Sequence, residues 1–228
     1  MTPDGLTRYG SFLETLRTAV TPGGSELELG VTLFALAVSI RAAQCIEIGR
    51  YKGFSALALA GAMRLLDEED WRNPGGNGQG FQSRPDVDYG HHEGYRDRRV
   101  YSVDPVPDPD APALWKRADL DRYITMLDKR SVDVHIEQEI SPDCDVDLIF
   151  IDGDHGHDAA MADVNMYVPR IRKGGYFVLH DVFGWFDHNG LNGSPIKQVC
   201  DNLMQTRFKE HLLIDTGYPS FMIFRKAA

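Results

Sequence analysis

The chain has 228 residues, 43% hydrophobic and 25% charged, with a formal net charge of −10. That balance predicts one globular domain with a sizeable core, and it argues against a nucleic-acid substrate, which needs a basic surface. No apolar run is long enough for a bilayer, no signal peptide is expected, and Cys45, Cys144 and Cys200 form no metal spacing or disulfide framework, so a cytoplasmic protein is expected.

Residues 1–25 read as an N-terminal helical appendage to a domain over 26–228, with Phe12, Leu13, Leu16 and Val20 on one face before Gly23 and Gly24 break it. Such a helix covers either its own core or a partner subunit, and the second option points to a homo-oligomer. Residues 27–43 form an apolar helix with Leu29, Leu33, Leu36, Ala37 and Ile40 as its stripe. A short strand at 44–48 then runs into Glu47, Gly49 and Gly53, and Ser55 opens another apolar helix. Glycines at a strand-to-helix junction allow a sharp turn and close approach of a ligand to the main chain. The spacing Gly49-x-x-x-Gly53 departs from the G-x-G-x-x-G of nicotinamide-binding turns.

Residues 70–98 are rich in Gly, Asn, Pro and charge and are expected to be a loop insertion, placed to fold over the sheet rim as a lid. His91 and His92 within it are either solvated or ligands. A strand at 99–103 ends in Asp104, which either accepts ribose hydroxyls or starts the turn before Pro105. Leu120, Ile124 and Leu127 have helical spacing, and 131–136 reads as the third strand. Glu137, Gln138 and Glu139 would then stand where a cofactor's base could bind.

The run Leu148 to Ile151 predicts a strand buried on both faces, and it stops abruptly at Asp152, Asp154 and His155. A helix with Met161, Val164 and Val168 on one face follows, with Gly174 and Gly175 expected to stop it. The next strand, 176–179, ends in His180 and Asp181. If the two strands are parallel, Asp152, His155, His180 and Asp181 meet at one rim. Trp185, Phe186, Asp187 and His188 follow in an aromatic loop that would hang over that rim and hold an acceptor. Ser194 is placed to cap a helix whose first residue is Pro195, with Ile196, Val199 and Leu203 buried. Strands at 211–215 and 220–225 are joined too closely to be parallel. The pattern is an α/β fold with a mostly parallel sheet and one antiparallel strand near the C-terminus.

Two segments carry a resemblance. EIGRYKGFSALALA resembles the first motif of the class I S-adenosylmethionine-dependent methyltransferases, and FIDGDHGHDAAMADVNMYVPRIRKGGYFVLHDV resembles their fourth and fifth. The likeness extends over about 26–182 and is nearest to the metal-dependent small-molecule O-methyltransferases of the catechol and the macrocin/mycinose sugar types. It implies a Rossmann-like, doubly wound, seven-stranded sheet. It also implies S-adenosylmethionine as cofactor, held by Glu47, Gly49, Tyr51, Gly53, Ser55, Asp104 and Asp152. A divalent metal, Mg²⁺ or Mn²⁺, would sit on Asp152, His180 and Asp181, with His155 as general base. The families usually carry Asp or Glu where this chain has His180, and an imidazole shifts preference away from Mg²⁺ towards softer metals.

The expected function is therefore methyl transfer to a hydroxyl of a small molecule, a sugar or natural-product intermediate, with Trp185, Phe186 and His188 as substrate contacts. The alternatives are a metal-independent N- or C-methyltransferase, an NAD-dependent oxidoreductase on a similar sheet, and a non-catalytic cofactor-binding module.

Overall fold

A computed structural model describes residues 3–20, 27–72, 98–106, 108–140, 146–183, 194–215 and 220–227. Its described strands form one seven-stranded sheet in the order β3-β2-β1-β4-β5-β7-β6. These strands are β1 (Gln44–Ile48), β2 (Arg99–Val103), β3 (Ile124–Leu127), β4 (Val146–Ile151), β5 (Ile171–His180), β6 (His211–Asp215) and β7 (Ser220–Arg225). β1 to β5 run parallel, while β7 runs antiparallel to both β5 and β6. The apolar β4 is buried along its whole length, as a central strand covered on both faces must be.

The helices divide into two layers. On one face lie α1 (Pro3–Ala19), α2 (Leu27–Ser39), α3 (Phe54–Arg72) and α4 (Asp110–Arg117), and their core includes Leu33, Leu57 and Trp115. On the other lie α5 (Ile136–Glu139), α6 (His157–Tyr167) and α7 (Pro195–Thr206), around Val164, Tyr167 and Leu203. The N-terminal helix packs on α2 and α3 of its own chain, with Phe12 stacked on Phe34 at 4.9 Å between ring centroids. Among the described residues no helix is long and apolar enough to cross a membrane.

Several elements differ from the sequence expectation. The third strand is Ile124–Leu127, inside the stretch whose spacing suggested a helix. Consecutive β-branched Ile124 and Thr125 favour the extended form. Residues 131–136 alternate like a strand but form a 3₁₀ turn at Ser131–Asp133 and the start of α5. The Arg130 guanidinium grips Asp133 with two hydrogen bonds, at 2.8 and 3.0 Å, and closes that turn locally. The helix after β4 ends at Tyr167, before a 3₁₀ turn that contains Pro169, rather than at Gly174 and Gly175. Those glycines lie within β5, beside a register shift against β4. A Cβ on Gly175 would stand 2.7 Å from the Asp147 carbonyl oxygen, so only glycine fits that irregularity.

The helix expected over 27–43 ends at Ser39, because Arg41 adopts φ +50 and the Ala42 N–H turns back to the Ala37 carbonyl. The expected insertion begins later than residue 70, since α3 continues to Arg72. Its remainder, with His91 and His92 and the lid they were assigned to, lies outside the described residues, as do Trp185, Phe186, Asp187 and His188. At the described base of the insertion, Arg98 bridges Asp67 and Asp70, each at 2.7 Å. The cap of α7 is as expected: the Ser194 hydroxyl accepts from the Lys197 N–H at 3.0 Å, with Pro195 as first residue.

Candidate active site

The strand order reverses between β1 and β4: the chain winds from β1 out to β3, then returns to β4 on β1's other side. Open α/β sheets bind ligands at the carboxyl ends of the strands beside such a reversal. Both polar clusters of the sequence stand there. Asp152 follows β4, and its N–H donates to the Ile48 carbonyl at the tip of β1. His180 ends β5 and Asp181 follows it.

Parallel pairing of β4 with β5 brings the four side chains together. His180 Nδ1 lies 3.0 Å from Asp152 Oδ1 and 3.5 Å from Asp181 Oδ1. His155, at the start of the loop into α6, places Nε2 3.3 Å from Asp152 Oδ1 and 3.3 Å from Asp181 Oδ2. His180 is buried, whereas the His155 side chain is 52% exposed and faces the rim. Asp181 holds φ +51, a conformation uncommon for a residue with a side chain and one that turns the chain sharply off the strand.

The charges of this cluster compete. Burial would raise the Asp152 carboxyl, but the His180 charge and hydrogen bonds from His155 and His180 outweigh it and hold the group below its ordinary range. His155 is raised, first by its hydrogen bond with Asp152, against a burial effect of opposite sign; the Asp152 and Asp181 charges add to the rise.

The glycine turn lies beside this cluster. Gly49 has φ +90, and a Cβ there would stand 2.0 Å from the Asp152 carbonyl oxygen. The absent side chain thus lets the β1 turn pack on the end of β4, which is protein against protein rather than room for a ligand. Gly53 is pinned by Trp115, whose indole N–H donates to its carbonyl at 2.7 Å. Tyr51 holds φ +43 and is exposed over the rim.

Glu47 is fully buried below the turn, where it accepts hydrogen bonds from the Ser55 and Ser102 hydroxyls. Burial pushes its carboxyl up to about 7, in spite of those two bonds and the nearby Arg50 charge. Asp104 Oδ2 accepts from the Arg50 and Tyr51 N–H groups, at 2.8 and 3.2 Å, and Oδ1 from the Val106 N–H at 2.7 Å. So Asp104 forms the turn, with one lone pair left on Oδ1.

Arg50 was missed by the sequence reading. Its guanidinium runs buried beneath the rim to the Ser102 carbonyl at 2.9 Å and to Asp128 Oδ1 at 2.6 Å, which ties the β1 turn to the end of β3. An arginine between two glycines in a turn looks solvated, and nothing local predicts its burial. The acids expected to meet a cofactor's base are engaged elsewhere: Glu139 with Lys129 at 2.5 Å and the His135 N–H at 2.8 Å, and Glu137 with Arg170 at 3.2 Å.

Among the described residues, Asp152, His155 and Asp181 offer one ligand atom each within 4.8 Å of one another. Two carboxylate oxygens and an imidazole nitrogen at that spacing fit a divalent cation, and the imidazole favours a transition metal over Mg²⁺. The set differs from the expected one by having His155 beside the two acids, with His180 against the same carboxylates through Nδ1.

The sheet order, the acids at the tips of β1, β2 and β4, and the reversed β7 together define the fold of the class I S-adenosylmethionine-dependent methyltransferases. The chain belongs to a methyltransferase domain family, whose model matches residues 46–182. Solved structures agree on the fold. The O-methyltransferase TomG from Streptomyces achromogenes, in complex with SAM, is 14% identical, with 97% of this chain and 90% of that chain covered at a TM-score of 0.62. The O-methyltransferase from Bacillus cereus, in complex with SAH, is 17% identical over 96% and 91%, at 0.60. The SAH-bound Podospora anserina methyltransferase PaMTH1 is 17% identical over 99% and 89%, at 0.58. A comparison with curated proteins finds no match.

Proposed function

We propose that this methyltransferase moves the methyl group of S-adenosylmethionine to a hydroxyl of a small molecule, with His155 as general base and a divalent cation at the rim. The observation that carries this reading is that His155 and His180 each place a ring nitrogen 3.0–3.5 Å from both the Asp152 and the Asp181 carboxylates, beside the β1 turn. Several of the similar structures are described as O-methyltransferases, which supports oxygen as acceptor.

S-adenosylmethionine, when bound, supplies an activated methyl on a sulfonium centre. An acidic rim suits that cationic donor, and Asp104 keeps acceptor capacity for ribose hydroxyls. Asp152 and Asp181, with the His180 imidazole, would hold a divalent cation that would supply Lewis acidity at the rim, which leaves His155 Nε2 for the proton. The chain's own part is to align the acceptor oxygen in line with the methyl and to take its proton. His155 Nε2 stands at the open rim and serves as proton acceptor in its neutral form. In the metal-free chain the Asp152 and Asp181 carboxylates hold its pKa above the ordinary histidine value, and a cation on those two acids would act against that rise.

His155→Ala tests the assignment. Turnover should fall by about 10²- to 10⁴-fold while S-adenosylhomocysteine binds as before by calorimetry. Unchanged turnover removes His155 from the mechanism. Full activity after chelation and exchange into metal-free buffer removes the cation and leaves a metal-independent transfer.

A further inference from the structure

The outermost strand of the sheet lies away from the active site, with β7 between it and β5. Among the described residues no strand pairs with the outer edge of this strand, β6. The register with β7 shows which of its groups face outward. The Arg225 N–H donates to the Glu210 carbonyl at 3.0 Å, which makes Glu210 and Arg225 a hydrogen-bonded pair. Such pairs recur at every second residue, so Leu212 and Ile214 bond β7 through Ile223 and Phe221. The N–H and C=O groups of His211, Leu213 and Asp215 therefore point away from β7, towards the outer edge.

Apolar side chains line this edge. Leu212 is 58% exposed and Leu213 39%, on opposite faces of the strand. In β7 every residue but the last is buried, whereas in β6 only Ile214 is partly covered. Proteins usually protect such an edge with lysine, proline, a bulge or a covering element. β6 contains neither lysine nor proline and pairs with β7 in unbroken register.

The strand is also complementary to itself. In an antiparallel pair of two copies with the two-fold axis at Leu213, His211 meets Asp215, Leu212 meets Ile214, and Leu213 meets Leu213. The outward-pointing backbone groups then stand directly opposite one another, as hydrogen-bonded pairs require. An imidazole donates to a carboxylate whether or not it carries a charge, and the Leu212–Ile214 pairs take the closer, non-hydrogen-bonded spacing. Any other antiparallel register leaves residues unpaired and separates His211 from Asp215. A parallel pair in register would set Asp215 against Asp215.

We propose that two copies of this chain associate edge to edge through β6, with His211 of each against Asp215 of the other, to form one continuous sheet. The N-terminal helix, the element first expected at a subunit contact, packs on its own chain instead. The interface is short, so the dimer should dissociate on dilution at about micromolar concentration.

Sedimentation of the whole protein over a dilution series, with amide exchange read residue by residue, tests this. The wild type should show a monomer–dimer equilibrium. In the dimer the His211 and Leu213 amides should exchange at least about tenfold more slowly than in the monomer, while those of Leu212 and Ile214, already bonded to β7, should not change. Leu213→Lys sets two like charges at the axis on an exposed side chain and should weaken the dimer at least about tenfold. His211→Asp opposes carboxylates and should weaken it by about tenfold, and adding Asp215→His should restore it to within about threefold. A wild type that stays monomeric up to about 1 mM overturns the proposal. So does a dimer that Leu213→Lys leaves intact, or one in which the His211 and Leu213 amides exchange as in the monomer. Should a variant fail to fold, the exchange of the wild type decides alone.

Discussion

β4 starts beside a buried acid, and a half-buried one follows its end. Asp147, near its start, accepts the Ala43 and Gln44 N–H groups on Oδ2, at 2.7 and 2.8 Å, and the Arg172 guanidinium on Oδ1. Arg172 in turn reaches the Ile40 carbonyl at 3.1 Å. Each of these partners is a backbone amide or an arginine, all of them fixed donors. Asp152, just past the other end, faces His155 and His180, and a second carboxylate, Asp181, meets the same two rings. The two acids share a strand and differ in the kind of partner they face. An acid saturated by fixed donors ties α2 and β1 to β4 and β5; an acid among titratable rings is placed to do chemistry.

Substitutions at the two positions should separate along that line. The largest effect is expected for Asp152→Asn, with turnover lower by at least about a hundredfold and a stability loss smaller than at Asp147, since the charge is held below its ordinary range only by two histidine rings. A stability loss equal to that of the opposite end would erase the contrast. Asp147→Asn should act in reverse. It leaves the largely covered Arg172 without its counter-charge, and chemical unfolding should report a loss of about 3 kcal/mol, with turnover per folded molecule retained.

Glu47 sharpens the comparison, because it is buried like Asp147 yet lies at the rim. Its pKa is raised from an ordinary unfolded value to about 7 in the folded chain. The folded state therefore binds a proton more tightly than the unfolded one, and stability falls as pH rises from about 4.5 to 7. Glu47→Gln carries no charge to bury, so it should be about 1–3 kcal/mol more stable than the wild type at pH 8 and little different at pH 4.5. Urea unfolding at the two pH values checks this, and a pH-independent difference would place Glu47 with the structural acids.

The smallest effect belongs to the surface. Lys197 and Asp201 form an i,i+4 pair on α7 at 2.6 Å, and Lys197→Ala should cost no more than about 0.5 kcal/mol. A larger loss would show that partner exposure, as well as partner type, had been misjudged.

Residues close in sequence were the legible ones. The apolar runs of β1, β2 and β4, the abrupt switch to Asp152 and His155, the Ser194-Pro195 helix start and the terminal hairpin each follow from propensity, period or turn chemistry within a few neighbours. The convergence of Asp152 with His180 and Asp181 also follows, once β4 and β5 are taken as parallel, because parallel strands carry their tips to one edge. The third strand was not legible. Leu120, Ile124 and Leu127 satisfy a helical period as well as a strand, and only pairing with β2 selects the extended form. The burial of Arg50 and the glycine demand at Gly49 leave no local trace.

Outside the stretch 120–136, sequence alone determined the order of elements, the parallel class of the sheet and the identity of the reactive side chains, since these depend on short-range patterns along the chain. Tertiary structure alone decided the company each polar group keeps. Arg50 meets Asp128 across 78 positions and Ala43 meets Asp147 across 104. Such pairings arise from packing between distant segments, and they determine whether an acid is locked by fixed donors or set among titratable rings at the rim.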